Sequence, residues 1–568
     1  MNLTDAGVLD AAHAWIAQDP DEETRDELSA LVTAAQSGSP GALADLHSRF
    51  DTRLAFGTAG LRGEIAAGPN RMNRVLVAQA AAGLAGYLLD AAANGRAPSV
   101  VIGYDGRKNS AVFARDTAEL MAGAGVRAIL LPRLLATPVL AFAVRHLAVS
   151  AGVMVTASHN PPNDNGYKVY LGDEHQGSQI VPPSDAEIAE RILRVAAGTI
   201  VDLPRSTDYE LAPESVVDAY VAATASVATA DAPAEPLRVV YTAMHGVGWE
   251  TASRVFAAAG FPAPTIVAEQ IEPDPAFPTV AFPNPEEPGA LDLSYRAARS
   301  AGAELVIAND PDADRLAVAI PDAASDAGYR RLSGNEVGSL LGWRAAERAS
   351  TTAVDDSGPT GALACSIVSS PALKAVADAY GLDFEDTLTG FKWVSRAPGL
   401  IYGFEEALGY LVNPETVRDK DGISAAVAFL DLANSLKAEG ITIADQLDRF
   451  SARFGHFASD QISLRVTDLA DIDRIMAGLR AVPLTTLGGI RVTRIDDLKD
   501  GFGALPPSDV LRIVMEDGSR VMVRPSGTEP KLKVYIDASS TAGTVQERRA
   551  AAESRVRELG DGIRSLIA

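Results

Sequence analysis

This chain of 568 residues has one cysteine, fewer basic than acidic residues, and no long apolar run. With one cysteine, Cys365, no intrachain disulfide can form, and a reducing compartment, the cytoplasm, is expected. The most apolar stretch, LLATPVLAFAV, is too short for a membrane span and contains a proline. The first residues lack the basic and apolar regions of a signal peptide. The formal net charge of −24 disfavours nucleic acid and anionic membranes as partners.

The chain is too long for one hydrophobic core, and roughly three to five domains are expected. Short apolar strands such as SVVIGY, VRAILL and VSAGVMVT alternate with amphipathic helices. The alternation restarts after a Pro/Ala linker at 228–236, and again after the strand ELVIAN at 304–309. Such alternation is typical of βαβ units and mostly parallel sheets. Residues 1–50 have helical spacing and are expected to pack as helices on the first domain.

The last part of the chain has a different pattern. Five short strands, QISLRV, GIRVT, LRIVM, RVMVRP and KLKVYI, lie among helices, which indicates a smaller α+β domain with an antiparallel sheet. The predicted fold is therefore α/β, with three mixed α/β domains and a C-terminal α+β domain. The predicted domains are 1–206, 207–322, 323–452 and 453–568.

An acidic loop, NDPDADR, ends the strand ELVIAN and contains Asp310, Asp312 and Asp314. Alternate carboxylates in an extended loop can converge on a hard cation, and three oxygens with an open side suit Mg²⁺. A calcium loop of the EF-hand type does not fit, because Arg315 and Pro321 stand where it needs glycine and glutamate. A solvated acidic turn is the alternative, but the carboxyl end of a parallel strand favours a metal site.

The stretch TASHNPPNDNGYKVY places Ser158, His159 and Lys168 after another buried strand. A serine hydroxyl is a weak nucleophile, and the sequence contains no G-x-S-x-G motif of a hydrolase elbow. Taken alone, Ser158 is most simply a turn residue before Asn-Pro. Beside a magnesium site it becomes a candidate to carry a phosphoryl group, which would supply a fourth oxygen to the metal.

Two further motifs are candidate ligand-binding loops. RPSGTEPKLKVY offers the guanidinium of Arg524, the hydroxyls of Ser526 and Thr528, and Gly527, which lets an anion approach the backbone. The alternative there is an ordinary Pro/Gly hairpin turn. GFEEALGY, preceded by Lys392 in TGFKW, offers glutamates to sugar hydroxyls. The alternative there is a helix N-terminus whose dipole is complemented by acids.

Arginines also gather where the predicted sheets end, namely Arg62, Arg107 and Arg315. Each of them alone is most simply a surface charge. In a chain this acidic, their common placement suggests that they meet an anionic ligand.

The strings TASHNP, NGYKVY, DPDADR, GFEEALGY and RPSGTEPKLKVY, in this order, resemble the α-D-phosphohexomutase superfamily. FGTAGLRG and TGFKW are similar to the branch that holds bacterial phosphoglucomutases, phosphomannomutases and phosphopentomutase-like enzymes. The resemblance covers nearly the whole chain. It implies four domains around a central active-site cleft, the last of them with a TATA-binding-protein-like fold.

The resemblance implies roles for individual residues. Ser158 would be phosphorylated and, with the three aspartates, would hold Mg²⁺, and Lys168 would be the general acid/base. Ala407 stands where the family often has serine, so one hydroxyl contact to the sugar would be missing. The other implied site residues are Arg62, His159 and Arg315 around the reacting phosphoryl group, Lys392 as a second catalytic cation, Glu405 for the sugar, Arg524, Ser526, Gly527 and Thr528 for the second phosphate, and His245 in a loop of the cleft.

The implied reaction moves phosphate between two hydroxyls of one sugar, with glucose 1-phosphate and glucose 6-phosphate as the favoured pair. Phospho-Ser158 would form a bisphosphate, such as glucose 1,6-bisphosphate, and take back the other phosphate. Mannose and pentose phosphates are the alternative substrates. A sugar-phosphate phosphatase, a sugar bisphosphate synthase and a non-catalytic phosphosugar-binding protein are the rival functions. The expected partner is a phosphosugar, bound to a monomer or homodimer.

Overall fold

The chain divides into two compact units. The first unit contains Met1–Thr229, Pro236–Arg330 and Asn413–Val427, and the second contains Ala230–Glu235, Arg331–Val412 and Ala428–Ala568. None of the helices described has the length and apolar character needed to cross a bilayer. The computed structural model describes residues 3–92, 97–229, 235–352, 359–466, 469–481, 484–503, 505–526 and 531–567.

Three helices precede the first sheet: α1 (Asp5–Gln18), α2 (Glu22–Gln36) and α3 (Pro40–Phe50). Each begins at a polar N-cap, because the side chains of Thr4, Asp21 and Ser39 accept backbone N–H groups of the first turn. The prediction that these helices pack on the first domain is confirmed, since their apolar residues share one core with the first sheet. These residues include Val8, Trp15, Leu28, Val32, Leu46 and Phe50.

The first sheet of the described chain has seven strands: β1 (Leu61–Glu64), β2 (Ser99–Tyr104), β3 (Arg127–Leu130), β4 (Ala151–Val155), β5 (Asp164–Leu171), β6 (Ser178–Gln179) and β7 (Glu210–Leu211). Their order is β1-β5-β4-β2-β3-β7, with β6 beside β5. The four strands β4, β2, β3 and β7 are parallel, whereas β5 is antiparallel to β4. The helices along this part of the chain are α4 (Arg74–Ala91), α5 (Ser110–Gly123), α6 (Thr137–His146) and α7 (Ser184–Ala196).

The second sheet contains β8 (Val239–Thr242), β9 (Thr265–Ile266), β10 (Leu305–Asn309), β11 (Leu316–Pro321) and β12 (Tyr329–Arg331). Their order is β12-β11-β10-β8-β9, with β10 and β9 parallel to β8 and β11 antiparallel to β10. All five residues of β10 are buried, and its carboxyl end leads into the acidic loop. The helices here are α8 (Ser215–Ala225), α9 (Gly248–Ala258) and α10 (Asp292–Ala301).

The third sheet contains β13 (Ala362–Ser366), β14 (Asp383–Thr387), β15 (Leu400–Glu405) and β16 (Gly409–Leu411). Their order is β14-β13-β15-β16; the first three are parallel, and β16 returns antiparallel to β15. The helices that precede and follow these strands are α11 (Gly334–Thr352), α12 (Ala372–Tyr380), α13 (Phe391–Val394), α14 (Gly422–Ala438) and α15 (Ile443–Phe454).

The fourth sheet contains β17 (His456–Arg465), β18 (Thr486–Leu487), β19 (Ile490–Asp497), β20 (Leu511–Met515), β21 (Arg520–Pro525) and β22 (Lys531–Ser540). All neighbours in the order β17-β22-β21-β20-β19-β18 are antiparallel. Strand β18 has only two residues, too few to give a pattern in the sequence. The accompanying helices are α16 (Leu469–Ala481) and α17 (Val545–Ile567).

The predicted fold class is confirmed, with three mixed α/β sheets followed by an antiparallel α+β module. The predicted domain boundaries stay a prediction. The segment Asn413–Val427, which falls inside the predicted domain 323–452, belongs to the first unit. The central cleft also stays a prediction.

We expect Gly60→Ala to destabilise the first sheet strongly. Gly60 has a φ of +75°, and a Cβ atom there would lie 1.8 Å from the carbonyl oxygen of Tyr167 on β5. Backbone strain and this clash should lower the free energy of unfolding by about 2–4 kcal/mol in urea titrations. Gly41→Ala is the matched control, because nothing lies within 4 Å of the added Cβ atom. Equal urea midpoints for the two variants would contradict this account.

Candidate active site

The loop between β4 and β5 carries Ser158, whose backbone is in the left-handed region with a φ of +53°. Its N–H donates to Thr156 Oγ1 at 2.8 Å, and the residue is only 2% exposed. L-residues other than Asn, Asp and Gly rarely adopt this conformation, so neighbouring groups must hold it. The loop therefore fixes the direction of the serine hydroxyl.

Arg107 holds this loop by donating hydrogen bonds to four of the loop's backbone carbonyls. One terminal nitrogen donates to the carbonyls of Ser158 and Asn160 at 2.7 and 2.6 Å. The other donates to the carbonyls of Pro161 and Asp164 at 2.8 and 3.1 Å. The expectation that Arg107 is a surface charge is wrong, because it is 4% exposed. Its planar fork matches several carbonyls at once, which a lysine could not do.

The Ser158 hydroxyl donates to Asp310 Oδ2 at 3.0 Å, so the serine loop meets the acidic loop after β10. Asp310, Asp312 and Asp314 are fully buried, and one oxygen from each lies within 4.8 Å of the others. Among the described residues, Asp312 Oδ1 and Asp314 Oδ1 have no hydrogen-bond partner. Buried carboxylate oxygens without a donor are costly, and hard oxygens are the ligands that Mg²⁺ prefers. The three aspartates therefore fit a magnesium site.

Two ammonium groups lie on this triad. Lys168 Nζ donates to Asp312 Oδ2 at 2.8 Å and to Asp314 Oδ2 at 2.9 Å. Lys420 Nζ lies 3.2 Å from the same oxygen of Asp314. The sequence did not point to Lys420, although its string RDKDG places the lysine between two acids. That pattern alone is equally typical of a solvated turn.

The charges of the triad and the lysines shift one another's pKa values. Burial and the neighbouring aspartates raise the pKa of Asp310 well above its usual range. Burial acts the same way on Asp314, but Lys168 and Lys420 outweigh it and lower the pKa of this carboxyl. Burial disfavours the charged form of Lys168, yet Asp312 and Asp314 outweigh it and raise the pKa of this ammonium. Lys168 is thus held protonated in this arrangement.

The three residues predicted to support the phosphoryl group lie in or next to the serine loop and the acidic loop. Arg62, a half-buried residue of β1, donates to the side-chain oxygen of Asn160 at 3.2 Å. Arg315 Nε lies 3.7 Å from Asp314 Oδ1, and His159 Nδ1 lies 3.8 Å from Asp310 Oδ2. Burial, together with Arg315 and Arg62, lowers the pKa of His159 well below its usual range. This imidazole is therefore neutral at pH 7.

His245, at a loop after β8, is 4% exposed, and its Nε2 lies 2.9 Å from the Thr279 hydroxyl. Burial lowers the pKa of this imidazole. Its predicted place in a cleft stays a prediction.

In the second unit, Glu405 ends β15 and its Oε1 accepts the Gly390 N–H at 3.1 Å. Ala407 lies in the turn between β15 and β16, so the alternative of a helix N-terminus for GFEEALGY is wrong. The adjacent Glu406 is engaged by two hydroxyls, those of Ser366 and Ser369, each at 3.0 Å. Lys392 lies in the short helix α13, directly after Gly390 and Phe391.

Two of the phosphate-loop candidates, Arg524 and Ser526, lie at the end of β21, which pairs antiparallel with β22. Arg524 is half-buried on β21, and the Ser526 N–H donates to the Lys531 carbonyl at 2.8 Å. Burial and Glu406 raise the pKa of Tyr535 on β22, although Arg524 acts in the opposite direction. Tyr535 packs in one buried cluster with Ile367 and Val368, which directly follow β13. Strands β21 and β22 pair antiparallel, but the turn between them lies outside the described residues, so the Pro/Gly turn and anion binding both stay predictions. Gly527 and Thr528 lie outside the described residues.

The third and fourth sheets pack together within the second unit. Arg520 of β21 donates to the carbonyl of Ser369 and, at 2.9 Å, to Asp537. A buried apolar cluster contains residues in or next to strands of both sheets, so the two sheets pack against each other. The cluster contains Ile367, Val368, Leu388, Leu498, Val510, Met522 and Tyr535.

Models of all four phosphoglucomutase/phosphomannomutase domains match the chain. Alpha/beta/alpha domains I, II and III match residues 53–198, 218–323 and 333–453, and the C-terminal domain matches 462–554. The chain belongs to this family. The predicted resemblance is therefore confirmed, and membership makes the chain an intramolecular phosphotransferase of the phosphomutase type.

The relatives of this phosphomutase are named for different sugar substrates. It is 56% identical over 468 residues to a probable phosphomannomutase of Haemophilus influenzae, covering 82% of this chain and 93% of the relative. It is 36% identical over 561 residues to a probable phosphoribomutase of Schizosaccharomyces pombe, covering 92% of each. The crystal structure of a phosphoglucomutase/phosphomannomutase family protein from Burkholderia thailandensis shares the fold, with a TM-score of 0.68 at 20% identity over 91% of this chain and 97% of that chain.

We expect Arg107→Lys to loosen the serine loop of the phosphomutase. A single ammonium cannot reach four carbonyls, so buried acceptors of the loop lose their donor. Hydrogen exchange read by mass spectrometry should show the amide of Asn160, now bonded to the Ala157 carbonyl, exchanging at least about tenfold faster. Arg115→Lys, at an exposed position of α5, is the control and should leave that exchange unchanged. Full protection of Asn160 in the Arg107 variant would show that the loop does not depend on the guanidinium.

Proposed function

We propose that this phosphomutase interconverts an aldose 1-phosphate and the isomer that carries the phosphate on its terminal hydroxyl. Glucose 1-phosphate and glucose 6-phosphate are the favoured pair. The observation that carries the proposal is the hydrogen bond from Ser158 to Asp310 in a buried, cation-rimmed site. A hydroxyl that shares a metal-type carboxylate cluster with two ammonium groups is suited to accept and release phosphate. Phosphorylated Ser158 is the resting form in this proposal.

The first transfer breaks the bond between phosphorus and Ser158 Oγ and forms one between phosphorus and the free sugar hydroxyl. Lys168, which is held as an ammonium, gives a proton to the departing serine oxygen. The proton lost by the sugar hydroxyl restores that ammonium. The product is a sugar bisphosphate, such as glucose 1,6-bisphosphate, and the reverse transfer from its other phosphate regenerates phospho-Ser158.

Asp310, Asp312, Asp314 and the phosphorylated Ser158 would hold Mg²⁺. The ion supplies positive charge that offsets the negative charge of the phosphoryl oxygens. Arg62 and Arg315 add further positive charge, while the neutral His159 can act as a hydrogen-bond donor.

Residues of the second unit are assigned to the rest of the substrate. Arg524 and Ser526, with Gly527 and Thr528, bind the phosphate that is not transferred. Glu405 accepts hydrogen bonds from sugar hydroxyls, and Lys392 adds a cation. Ala407 offers no hydroxyl, so fewer contacts distinguish one sugar from another.

Mannose is the second candidate sugar, because the relative at 56% identity is named a probable phosphomannomutase. Ribose follows from the relative named a probable phosphoribomutase. These sugars differ from glucose by one hydroxyl configuration or one carbon. A cytoplasmic location and a monomeric or homodimeric state stay predictions.

A substrate panel with a serine variant tests the proposed reaction. The 1-phosphates of glucose, mannose, ribose and deoxyribose are assayed with Mg²⁺ and a trace of the matching bisphosphate, and kcat/KM is expected to be highest for glucose. Ser158→Ala should lose at least about 1,000-fold in kcat, because it removes the hydroxyl that is proposed to carry the phosphate. Intact-mass spectra should show one added phosphoryl group on wild type and none on this variant.

The control is Ser150→Ala, which alters the serine that directly precedes β4 and should keep both activity and phosphorylation. Higher kcat/KM for mannose or a pentose would change the assigned sugar. Phosphate release as fast as isomerisation would favour a phosphatase. Full activity of Ser158→Ala would exclude the phosphoserine route.

Metal binding is tested separately on one aspartate. Asp312→Asn removes one negative charge but nearly keeps the size of the side chain, so Mg²⁺ affinity measured by calorimetry should fall by about 100-fold. Asp326→Asn alters an exposed aspartate of the same compact unit and should leave the affinity unchanged. Equal affinity in both variants would remove Asp312 from the metal site.

A further inference from the structure

Lys420 is buried beside the carboxylate triad although it comes from a segment distant in sequence. The lysine is 6% exposed, and its neighbour Asp419 is 1% exposed. The Nζ atom of Lys420 lies 3.2 Å from Asp314 Oδ2 and 3.4 Å from Asp419 Oδ1. A buried ammonium needs acceptors in fixed positions, because its desolvation is costly. Asp419 is therefore central to the placement of this cation.

Asp419 is itself fixed by the first sheet. Its Oδ2 accepts from the Tyr170 hydroxyl and from the Gln179 amide, each at 2.8 Å. Its Oδ1 accepts the backbone N–H of Lys420, also at 2.8 Å. Tyr170 and Gln179 are register partners on β5 and β6. One carboxylate oxygen of Asp419 thus accepts from two residues of the sheet, and the other oxygen lies next to Lys420.

Tyr170 also stands two residues after Lys168 on β5, so both side chains lie on the same face of the strand. Lys168 reaches Asp314 Oδ2 directly, and Tyr170 reaches the same oxygen through Asp419 and Lys420. One face of one strand therefore sets the positions of both ammonium groups at the triad.

We propose that Asp419, held by Tyr170 and Gln179, is a positioning residue that fixes the Lys420 ammonium at Asp314. The expected effect on rate rests on the proposed function, since it follows from phosphoryl transfer at the triad. A cation held in place stabilises the charge of the transferring phosphoryl group better than one that must reorganise.

The sharpest probe is Tyr170→Phe, which removes one hydroxyl and keeps the ring. It should lower kcat about tenfold and change KM by less than about twofold, because the loss concerns the transition state and not substrate binding. Tyr167→Phe is the matched control on the same strand, since its ring lies in the apolar core of the first unit. That control should keep kcat within about twofold of wild type.

A double-mutant cycle with Lys420→Met separates positioning from general damage to the fold. If Tyr170 acts through Lys420, Tyr170→Phe costs no further activity in the Lys420→Met background. Losses that multiply in the double variant would overturn the proposal. Lys420→Gln replaces Lys420→Met in the cycle if the methionine variant does not fold.

Crystal structures of the two tyrosine variants give a readout that does not depend on turnover. In Tyr170→Phe the Lys420 Nζ atom is expected beyond about 4 Å from Asp314 Oδ2, and in Tyr167→Phe it should stay in place. An unmoved ammonium in Tyr170→Phe would overturn the positioning role. Wild-type enzyme that is inactive on every aldose phosphate would instead contradict the proposed function, while these structures would still decide the positioning.

Discussion

The burial of three carboxylates beside one hydroxyl is the constraint on which the first unit depends. One carboxylate oxygen from each of Asp310, Asp312 and Asp314 lies within 4.8 Å of the others, and all three residues are fully buried. Such a cluster is strongly unfavourable unless cations and donors surround it. Lys168 and Lys420 occupy one side of it, and the Ser158 hydroxyl occupies another. The same positive surroundings that make the cluster tolerable also suit a phosphoryl group.

The serine loop shows how the fold keeps one hydroxyl in a demanding geometry. Ser158 has a left-handed backbone, which is unfavourable for this residue type. The buried fork of Arg107 donates to four carbonyls of the loop, and Thr156 accepts the serine N–H. Phe277 of the second predicted domain lies against this guanidinium, with 5.0 Å between its ring centroid and the central carbon of Arg107. Residues far from the reacting atoms thus determine where the hydroxyl points.

The sequence predicted the fold class and most candidate residues because these depend on local patterns. Strand–helix alternation indicated parallel sheets, and the spacing of three aspartates after a buried strand indicated a metal site. Lys420 was missed, since a lysine between aspartates is an ordinary surface pattern until its partner Asp314 is known. Arg107 was expected to be exposed for the same reason. The sequence also did not decide that Ala407 lies in a hairpin, because a short acidic stretch fits a helix start and a strand end equally well.

The sequence by itself determined the family of this protein and the order of three mixed α/β domains and one α+β domain. It also determined which types of side chain stand at the ends of the strands. These follow from periodicity and from strings of adjacent residues. Only the tertiary structure decided which of those side chains meet, which are buried, and which charge each one carries. Burial and the approach of opposite charges depend on segments far apart in the chain, and they set the pKa values of Lys168 and His159 in opposite directions.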